Sequence, residues 1–500
     1  MAKHRILLTV VLVLAAAVRV YVEQSTGFQF DDAWITYRYA ENLAAGNGFV
    51  YNTGEYVEGS TAPLLVLLLS LFRWLGISIP TASLALSIPA SMALLYLVWR
   101  ICEPRIGQFG ASIAVVVLGF SPSLVIASVS GMETTLFIAL LLLASVAYRD
   151  DRPLLLGSAI AALALTRIDG LVFLPALVAT EFWSWYRDRG GANRSIQIAL
   201  LCRSIGTAAL LLLPWIVFAL CYFGDVVPNS IWAKLALYRH AGMDVTARSM
   251  IIEAMLTLGN QSQPMLEVPV VLAALLWTLI RARREAVLAL WFLAYAAFFL
   301  SGPVHMHPWY YTPFQAIAAI LVVLCLGEWW HLVPWHLNLQ KPWRAAGVAF
   351  ALMAMVLGSM QSYARAATYQ AFYNSAHINL ANYIAAQSRA EDTVYAWDVG
   401  YIGAISSRRV LDFVGIVSPE VIPYNHRENY VGVLKTWRPQ WAVIGYYGHA
   451  YRRILDDPWF RSSYVLVHRN TPIVSTGWSI DDPRRDTTYT WEYGIYRLID

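Results

Sequence analysis

Two adjacent aspartates, Asp31 and Asp32, open the stretch DDAWITYRYAENLAAGNG. Its apolar residues recur every four positions, at Ile35, Tyr39 and Leu43, before a GNG turn, which predicts a short helix with an aspartate at its N-terminal cap. A helix N-terminus stabilises an ionised carboxylate, which can accept a proton from a hydroxyl group or coordinate a divalent cation. The alternative is that one aspartate caps the helix while the other is solvated.

Further ionisable residues stand beside apolar segments. Lys234, alone among apolar residues in IWAKLAL, could bind a phosphate or could contact lipid headgroups. Arg167 has two comparable interpretations, a ligand contact or an ion pair with Asp169. Glu133 begins a helix, where an acid is either functional or a partner of the helix dipole. Glu58 lies in the turn-rich stretch after the predicted helix and is a candidate for orienting a substrate.

The segment VHMHPWYY holds a second group of candidates. His305 and His307 precede Trp309, Tyr310 and Tyr311. These side chains could bind a substrate, or they could form an aromatic belt at a membrane interface, the interpretation we favour for Tyr311. A single HxH pair without further ligands is a weak metal motif.

The composition indicates that membrane-spanning segments hold these residues in place. Of the 500 residues, 58% are hydrophobic and only 14% are charged, which excludes an ordinary soluble protein. The formal charge of +4 comes from arginines at the ends of apolar segments, so it indicates membrane orientation and gives no sign of nucleic-acid binding. The 4 cysteines lack CxxC spacing and support neither a disulfide framework nor a thiolate metal site.

About eleven membrane spans are predicted. They lie near residues 5–22, 82–99, 108–127, 133–148, 154–167, 170–186, 204–222, 265–280, 286–300, 312–330 and 345–361. The twelfth apolar run, 64–75, is short for a span. Counting it would put several arginine-rich loops on the outer side, against the positive-inside rule. We therefore expect 64–75 to lie along or dip into the outer surface.

The resulting topology places the N-terminus on the cytoplasmic side of the cytoplasmic membrane. It places every candidate residue on the outer side. Residues 1–361 form the transmembrane catalytic domain, whose first external loop is 23–63. Residues 362–500 have the composition of a soluble domain, and TVYAW, RRVLDFVG, QWAVIGYY, YVLVHRN and YGIYRLI are predicted strands. The fold class is thus an α-helical polytopic membrane protein with a C-terminal extracytoplasmic α/β domain. Asp398 and Asp412, near strand ends, could contact a ligand or simply cap turns.

Six segments together resemble one known family. The first-loop stretch, SGMET, LTRIDG, VPNSIWAKL and HPWYYTP occur in that order, and DVGYIGAISSRRVLDFVGIVSPE follows in the C-terminal domain. The set resembles polyprenyl-phosphate-sugar-dependent glycosyltransferases of the GT-C fold. Within them it is most similar to the branch of the mycobacterial terminal arabinofuranosyltransferase and related bacterial membrane enzymes.

This resemblance implies an inverting sugar transfer from a polyprenyl-phosphate donor to an acceptor of the cell envelope, with arabinofuranose or mannose as the sugar. It implies that Asp31 or Asp32 is the catalytic base. The residues expected to bind substrate are Glu58, Glu133, Arg167, Asp169, Lys234, His305, His307, Trp309 and Tyr310. A divalent cation, Mg²⁺ or Mn²⁺, held by Asp31, Asp32 and Glu133 is a further expectation.

Two other functions fit a membrane protein of this kind. A flippase or transporter of lipid-linked saccharides commonly has inverted repeats and charges near the bilayer midplane, whereas this chain has no obvious repeat. A non-catalytic scaffold that presents the outer domain is the third hypothesis. The partners expected for the leading hypothesis are the donor lipid, a glycan, lipid or protein acceptor, and the bilayer.

Overall fold

The computed structural model describes residues 2–187, 194–238, 264–281, 284–301, 307–332, 340–446, 449–470, 473–475 and 489–499. Helices lie over all eleven segments predicted as spans. They are, with the short helices between them, α1 Ala2–Thr26, α2 Asp31–Ala44, α3 Pro63–Trp74, α4 Ile79–Gly119, α5 Pro122–Val129, α6 Thr134–Arg149, α7 Pro153–Thr166, α8 Phe173–Arg187, α9 Arg194–Tyr222, α10 Asn229–Tyr238, α11 Pro264–Arg281, α12 Ala286–Leu300, α13 Pro308–Leu332 and α14 Gln340–Tyr373.

Not every helix is long enough to cross a bilayer alone. Five described helices meet the length and hydropathy expected of a span, or six if α5 and α6, bent by 114° at their junction, count as one. The predicted number of about eleven spans is therefore not confirmed. One reason is that α4 runs through two predicted spans and is interrupted only at Gly107, whose positive φ of 71° breaks the helical backbone.

The segment between α1 and α4 forms a platform of two short helices. Helix α2 buries Ile35 and Tyr39, as its fourfold apolar spacing predicts, and packs against α3. Helix α3 has 12 residues and rises about 18 Å, too little to cross a hydrocarbon core of about 30 Å. It buries Leu65 and Leu69 and exposes Leu71 and Trp74, so one face packs on the protein while the other is apolar and uncovered.

The C-terminal domain is built on a five-stranded sheet in the order β2-β1-β3-β7-β4. All five strands predicted from the sequence are present. The strands are β1 Thr393–Ala396, β2 Arg409–Asp412, β3 Trp441–Gly445, β4 Tyr464–Arg469 and β7 Tyr493–Leu498, with β5 Ile473–Ser475 and β6 Tyr489–Trp491 as a separate pair. Strands β1, β2 and β3 are parallel, whereas β7 runs antiparallel to both β3 and β4.

Short helices cover this sheet and connect it to the membrane helices. They are α15 Asn379–Gln387, α16 Val399–Ser406, α17 Ile422–Asn425, α18 Tyr430–Trp437, α19 His449–Asp456 and α20 Pro458–Ser463. Helix α14 continues past residue 361 and reaches α15 through a π-helical turn, Asn374–Ile378. Helix α16 packs directly on α2, which places the C-terminal domain against the first loop.

Candidate functional site

The two aspartates occupy the first turn of α2, and the N-cap position belongs to Phe30 rather than to either of them. Successive helical residues point about 100° apart, so neighbouring side chains at a helix start enter different surroundings. Asp31 is buried at 6% exposure, against the C-terminal domain. Asp32 lines a polar cavity next to the membrane helices.

Asp31 joins the first loop to the C-terminal domain. Its Oδ2 accepts a hydrogen bond from the backbone N–H of Gly400 at 2.9 Å, and its Oδ1 accepts one from Tyr401 at 2.8 Å. These amides lie in the first turn of α16, where backbone N–H groups have no partner within the helix. Glycine is required at position 400, because a Cβ there would overlap the carbonyl group of Asp31.

The surroundings of Asp31 hold two further titratable groups. Burial raises the pKa of Asp31 to about 7, with the nearby His377 lowering it and Asp398 raising it. His377 Nε2 lies 3.1 Å from Asp398 Oδ2, and the hydroxyl of Tyr493 donates to the same oxygen. Both oxygens of Asp31 are engaged by backbone amides, so this carboxylate serves the contact between domains.

Asp32 faces six other chemically important side chains across a cavity of about 50 Å³, which we call the Asp32 cavity. It brings together Glu133, Arg167, Lys234, Trp309 and Tyr310, all predicted from the sequence, and adds Ser230. Backbone and small side chains of residues 59–62 form one wall, and Ile416 of the C-terminal domain contributes to another. A cavity of this volume has room for about two water molecules and is too small for a sugar, so a sugar can enter only if a wall moves.

A buried ion network forms one side of the Asp32 cavity. Arg167 makes a bidentate pair with Asp169, with Nε–Oδ1 at 3.0 Å and Nη2–Oδ2 at 2.7 Å. Its Nη1 also reaches Glu133 Oε1 at 3.3 Å. The hydroxyl of Tyr295 donates to Asp169 at 2.8 Å. Asp169 therefore lies behind Arg167, not in the cavity lining, which favours the ion-pair interpretation of this residue.

Helix α10 supplies the second cation of the cavity. The side-chain amide of Asn229 donates to the carbonyl groups of Gly415 at 2.7 Å and Ile416 at 2.8 Å, which fixes the start of the helix against the C-terminal domain. Ser230 and Lys234, four residues apart, then lie on one helix face and line the cavity. Lys234 Nζ donates to the hydroxyl of Tyr310 at 3.3 Å.

Aromatic side chains close the opposite wall. Trp309 stacks on His307 with ring centroids 4.5 Å apart and meets Phe30, the residue before Asp31, edge to face at 5.2 Å. His307 supports Trp309 and is not itself part of the lining. His305 lies outside the described residues.

Glu58 lies beside the cavity rather than in it. Its carbonyl group accepts the backbone N–H of Asn229 at 2.8 Å, which links the first loop to α10. Its side chain is buried at 4% exposure, and Oε2 has no hydrogen-bond partner among the described residues. Burial raises the pKa of Glu58 to about 8, and the charge of Asp225 adds to the shift.

The loop after β2 brings the C-terminal domain to the cavity. Asp412 Oδ1 accepts the N–H of Val414 at 2.8 Å, and its Oδ2 accepts the N–H of Val417 at 3.1 Å. Burial raises the pKa of Asp412 to about 7, although these backbone donors oppose the shift. The carboxylate thus orders the turn that carries Ile416, a structural use of the kind expected for a loop acid.

Solved structures resemble this chain over most of its length. The oligosaccharyltransferase AglB of Archaeoglobus fulgidus superposes with a TM-score of 0.61 at 14% identity, over 88% of this chain and 69% of that protein. ArnT of Cupriavidus metallidurans superposes with a TM-score of 0.59 at 12% identity, over 97% of each chain. Both are GT-C glycosyltransferases.

The chain has the GT-C fold. Identities this low show a shared fold and no more. The mycobacterial arabinofuranosyltransferase AftD superposes with a TM-score of only 0.41 at 15% identity, over 97% of this chain and 40% of that protein. A family model described as "Domain of unknown function (DUF8728)" matches residues 361–492. No curated protein matches the sequence of the chain.

The GT-C fold and the long apolar helices identify the chain as a membrane protein.

The three carboxylates named as metal ligands are not gathered into one set. Asp31 uses both oxygens for backbone amides, whereas Glu133 pairs with Arg167. Within the described ranges, no group of three or more His, Cys, Asp or Glu side chains could hold a metal ion. A cation requirement therefore stays a prediction, and we derive no chemical step from it.

Two side chains of this candidate site carry no distinctive signal in the sequence. Ser230 is 3% exposed, and its Oγ has no hydrogen-bond partner among the described residues. The only indication would have been its spacing of four residues before Lys234 on a predicted helix. Tyr295, which holds Asp169, lies in an apolar helix where an aromatic residue is expected to pack in the core.

Proposed function

We propose that the protein is an integral-membrane glycosyltransferase that uses a polyprenyl-phosphate sugar, with Asp32 as the catalytic base and Lys234 as the cation for the leaving phosphate. The observation that carries this proposal is that Asp32 and Lys234 line the same cavity, whereas Asp31 is held in the contact between domains. An acid and a separate cation around one space are what displacement of a phosphate by a hydroxyl group requires.

In the proposed reaction, the acceptor hydroxyl donates its proton to the Asp32 carboxylate as its oxygen bonds to the anomeric carbon. The bond from that carbon to the phosphate oxygen breaks on the opposite face, so the configuration inverts. The electron pair leaves with the polyprenyl phosphate, whose added charge lies next to the ammonium group of Lys234. Asp32 returns its proton to solvent after the product departs.

Arg167 has a positioning role in this scheme. Its guanidinium is already bound by Asp169 in a bidentate pair and by Glu133, which limits its availability to a phosphate. Arg167 keeps Glu133 at the cavity wall. Glu133 can then accept a hydrogen bond from a sugar hydroxyl.

A large apolar cavity next to the site is suited to the polyprenyl chain. It has a volume of about 1040 Å³ and lies between α4, α5, α13 and α14. Helix α13 belongs to both cavities, since Trp309 and Tyr310 line the Asp32 cavity and Thr312 lines the apolar one. These residues follow each other within one helical turn, which supports a donor with its sugar at Asp32 and its chain along α13.

The solved relatives agree in chemistry with this proposal. ArnT was solved bound to undecaprenyl phosphate, and AglB in complex with an inhibitory peptide and a dolichol-phosphate. We further propose that the C-terminal domain and the Asp32 cavity face the outside of the cytoplasmic membrane. The acceptor would then be a cell-envelope component, and arabinofuranose and mannose are the first sugars to test.

The test begins with lipids that copurify with the protein. Ala319, partly exposed in the apolar cavity, is replaced in A319W to fill that space, and L210W adds the same side chain to the lipid-facing surface of α9 as a matched control. Mass spectrometry is expected to find a polyprenyl-phosphate sugar on the wild type and L210W, and at least tenfold less on A319W. Incubation with an envelope fraction should convert the bound donor to polyprenyl phosphate.

The proposal fails if no such lipid copurifies with the wild type, or if the donor keeps its sugar in the presence of envelope acceptors. Movement of the intact donor across vesicles without loss of its sugar would indicate the flippase alternative.

A further inference from the structure

A second polar cavity lies at the other end of α6 from the Asp32 cavity. Glu133, just before α6, lines the Asp32 cavity, whereas Tyr148 and Asp151, at and after its end, line the second one. The 16 residues of α6 rise about 24 Å, which approaches the thickness of a hydrocarbon core. The second cavity has a volume of about 190 Å³, and we call it the Glu181 cavity.

Glu181 is the buried acid of this cavity. Its side chain extends from α8 and is 7% exposed. The hydroxyl of Tyr148 approaches the carboxylate, but Oε2 has no hydrogen-bond partner among the described residues. A buried carboxylate oxygen without a donor costs free energy unless something else supplies the hydrogen bond. The cavity is therefore built to receive a hydrogen-bond donor at Glu181.

The lining of the Glu181 cavity carries equal numbers of acidic and basic side chains. Arg284, which is partly exposed, forms an ion pair with Asp151 at 2.9 Å and also interacts electrostatically with Glu181. Arg152 also lines the cavity, and no described acid lies within ion-pair distance of it. Two acids and two arginines, with one acid buried and one arginine available, suit a ligand that itself carries a positive and a negative group.

The surface beside the cavity is strongly apolar. Phe182 is 68% exposed and Tyr186 is 69% exposed on α8, while Ile196 on α9 is 58% exposed. Phe182 follows Glu181 directly, and Ile196 precedes Gln197, another lining residue. A headgroup in the cavity would thus have its hydrocarbon chains against exposed apolar side chains, which a small soluble ligand would leave uncovered.

We propose that the Glu181 cavity binds the phosphoethanolamine headgroup of a phospholipid, with its primary ammonium at Glu181 and its phosphate near Arg152. A primary ammonium can donate to Glu181 Oε2 and Tyr148, whereas a quaternary choline has no N–H to donate. A glycerol headgroup can donate hydrogen bonds but brings no cation of its own to the buried carboxylate. The site is separate from the Asp32 cavity and does not depend on the proposed transfer reaction.

The experiment measures lipid binding to the delipidated full-length protein in detergent by native mass spectrometry. Phosphatidylethanolamine, phosphatidylcholine and phosphatidylglycerol with identical acyl chains are titrated separately, together with free phosphoethanolamine. The wild type is expected to bind phosphatidylethanolamine at least tenfold more tightly than either other lipid. Free phosphoethanolamine is expected to bind at least tenfold more weakly than the lipid.

Variants assign the preference to the cavity. E181Q is expected to lose the preference for phosphatidylethanolamine, and S184L, which fills the cavity while keeping Glu181, is expected to lose binding. E103Q removes a carboxylate from α4 outside the cavity and should behave as the wild type. If E181Q misfolds, S184L still tests the site.

Four results would overturn the proposal. If phosphatidylcholine bound as tightly as phosphatidylethanolamine, an N–H donor on the headgroup would not be required. If phosphatidylglycerol bound more tightly, the site would recognise the phosphate and not the ammonium group. Binding of free phosphoethanolamine as tight as that of the lipid would assign the cavity to a soluble ligand. Retention of the wild-type preference in both E181Q and S184L would place the lipid elsewhere on the protein.

Discussion

Asp31 and Asp32 are neighbours in the chain but lie in different surroundings. Asp31 accepts two backbone hydrogen bonds at the start of α16 and lies against His377 and Asp398. Asp32 faces the cavity that contains Lys234 and Glu133. Asp31 therefore joins two domains, whereas Asp32, with the same side chain one position later, faces the proposed reaction space.

This difference shows how the first turn of a helix can separate two functions. Successive side chains of a helix point about 100° apart, so two adjacent aspartates at a helix start can face different surroundings. The contact made by Asp31 fixes α2 against α16, and that contact orients Asp32 towards the membrane helices. We therefore expect replacement of Asp31 itself to reduce stability, and replacement of Asp32 itself to reduce transfer.

The largest loss of stability is expected on the Asp32 side, from Arg167→Met. This change leaves Glu133 and Asp169 buried without their counter-charge, which costs about 3–5 kcal/mol. Thermal unfolding in detergent measures it. Arg73→Met, which breaks an exposed pair with Glu41, is the control and should cost about 1 kcal/mol or less. Equal stability of the two variants would contradict the buried network.

Asp31→Ala should have the next largest effect, on the contact between domains. It leaves the buried amides of Gly400 and Tyr401 without acceptors, at about 1–3 kcal/mol for each group. Hydrogen exchange of residues 399–406 should become faster. Asp32→Ala is the matched control and should leave that exchange unchanged. Faster exchange in both variants would contradict the claim that Asp31 alone of the two aspartates holds the contact with α16.

Lys234→Met should lower kcat/KM for sugar transfer by about 10- to 100-fold, because the leaving phosphate loses its nearest cation. The lost hydrogen bond from Lys234 Nζ to the Tyr310 hydroxyl should cost about 1–2 kcal/mol of stability, less than the Arg167 change. Lys234→Arg should restore part of the rate. A wild-type kcat/KM in Lys234→Met would contradict the proposed role of Lys234 at the leaving phosphate.

The smallest expected effect is a pH dependence that belongs to Asp31. Its pKa in the folded protein, about 7, lies above the value of 3.8 expected when unfolded, so the folded state binds more protons between these values. The free energy of unfolding should therefore fall as pH rises, by about 1 kcal/mol between pH 6 and pH 8. Subtracting the profile of Asp31→Asn, which retains His377 and Asp398, isolates this contribution. Parallel profiles would contradict it.

Much of the architecture could be predicted because it is local. The five main strands are short runs rich in β-branched and aromatic residues, and they form at the predicted positions. Helix α2 follows its apolar spacing, and α3 is too short to span, as its 12 residues suggest. The number of spans could not be predicted because Gly107 breaks a helix without ending it, and because α5 and α6 meet at a sharp bend.

The roles of the individual site residues depend on contacts between distant parts of the chain. Asp31 meets Gly400, 369 positions away, and no local pattern distinguishes it from Asp32 before that contact forms. Tyr295 looks like a core aromatic residue until Asp169 is placed beside it. By contrast, Lys234 and Arg167 could be identified early, because a charge in an apolar segment needs a partner or a function.

The most direct test of the account compares Asp32→Asn with Asp31→Asn in a single turnover of bound donor. Both proteins are loaded with the copurifying polyprenyl-phosphate sugar, the loading is verified by mass spectrometry, and envelope acceptor is then added. We predict that Asp32→Asn transfers the sugar about 10²- to 10⁴-fold more slowly than the wild type, whereas Asp31→Asn stays within about tenfold. Transfer by Asp32→Asn at the wild-type rate, or a larger loss in Asp31→Asn, would contradict the account.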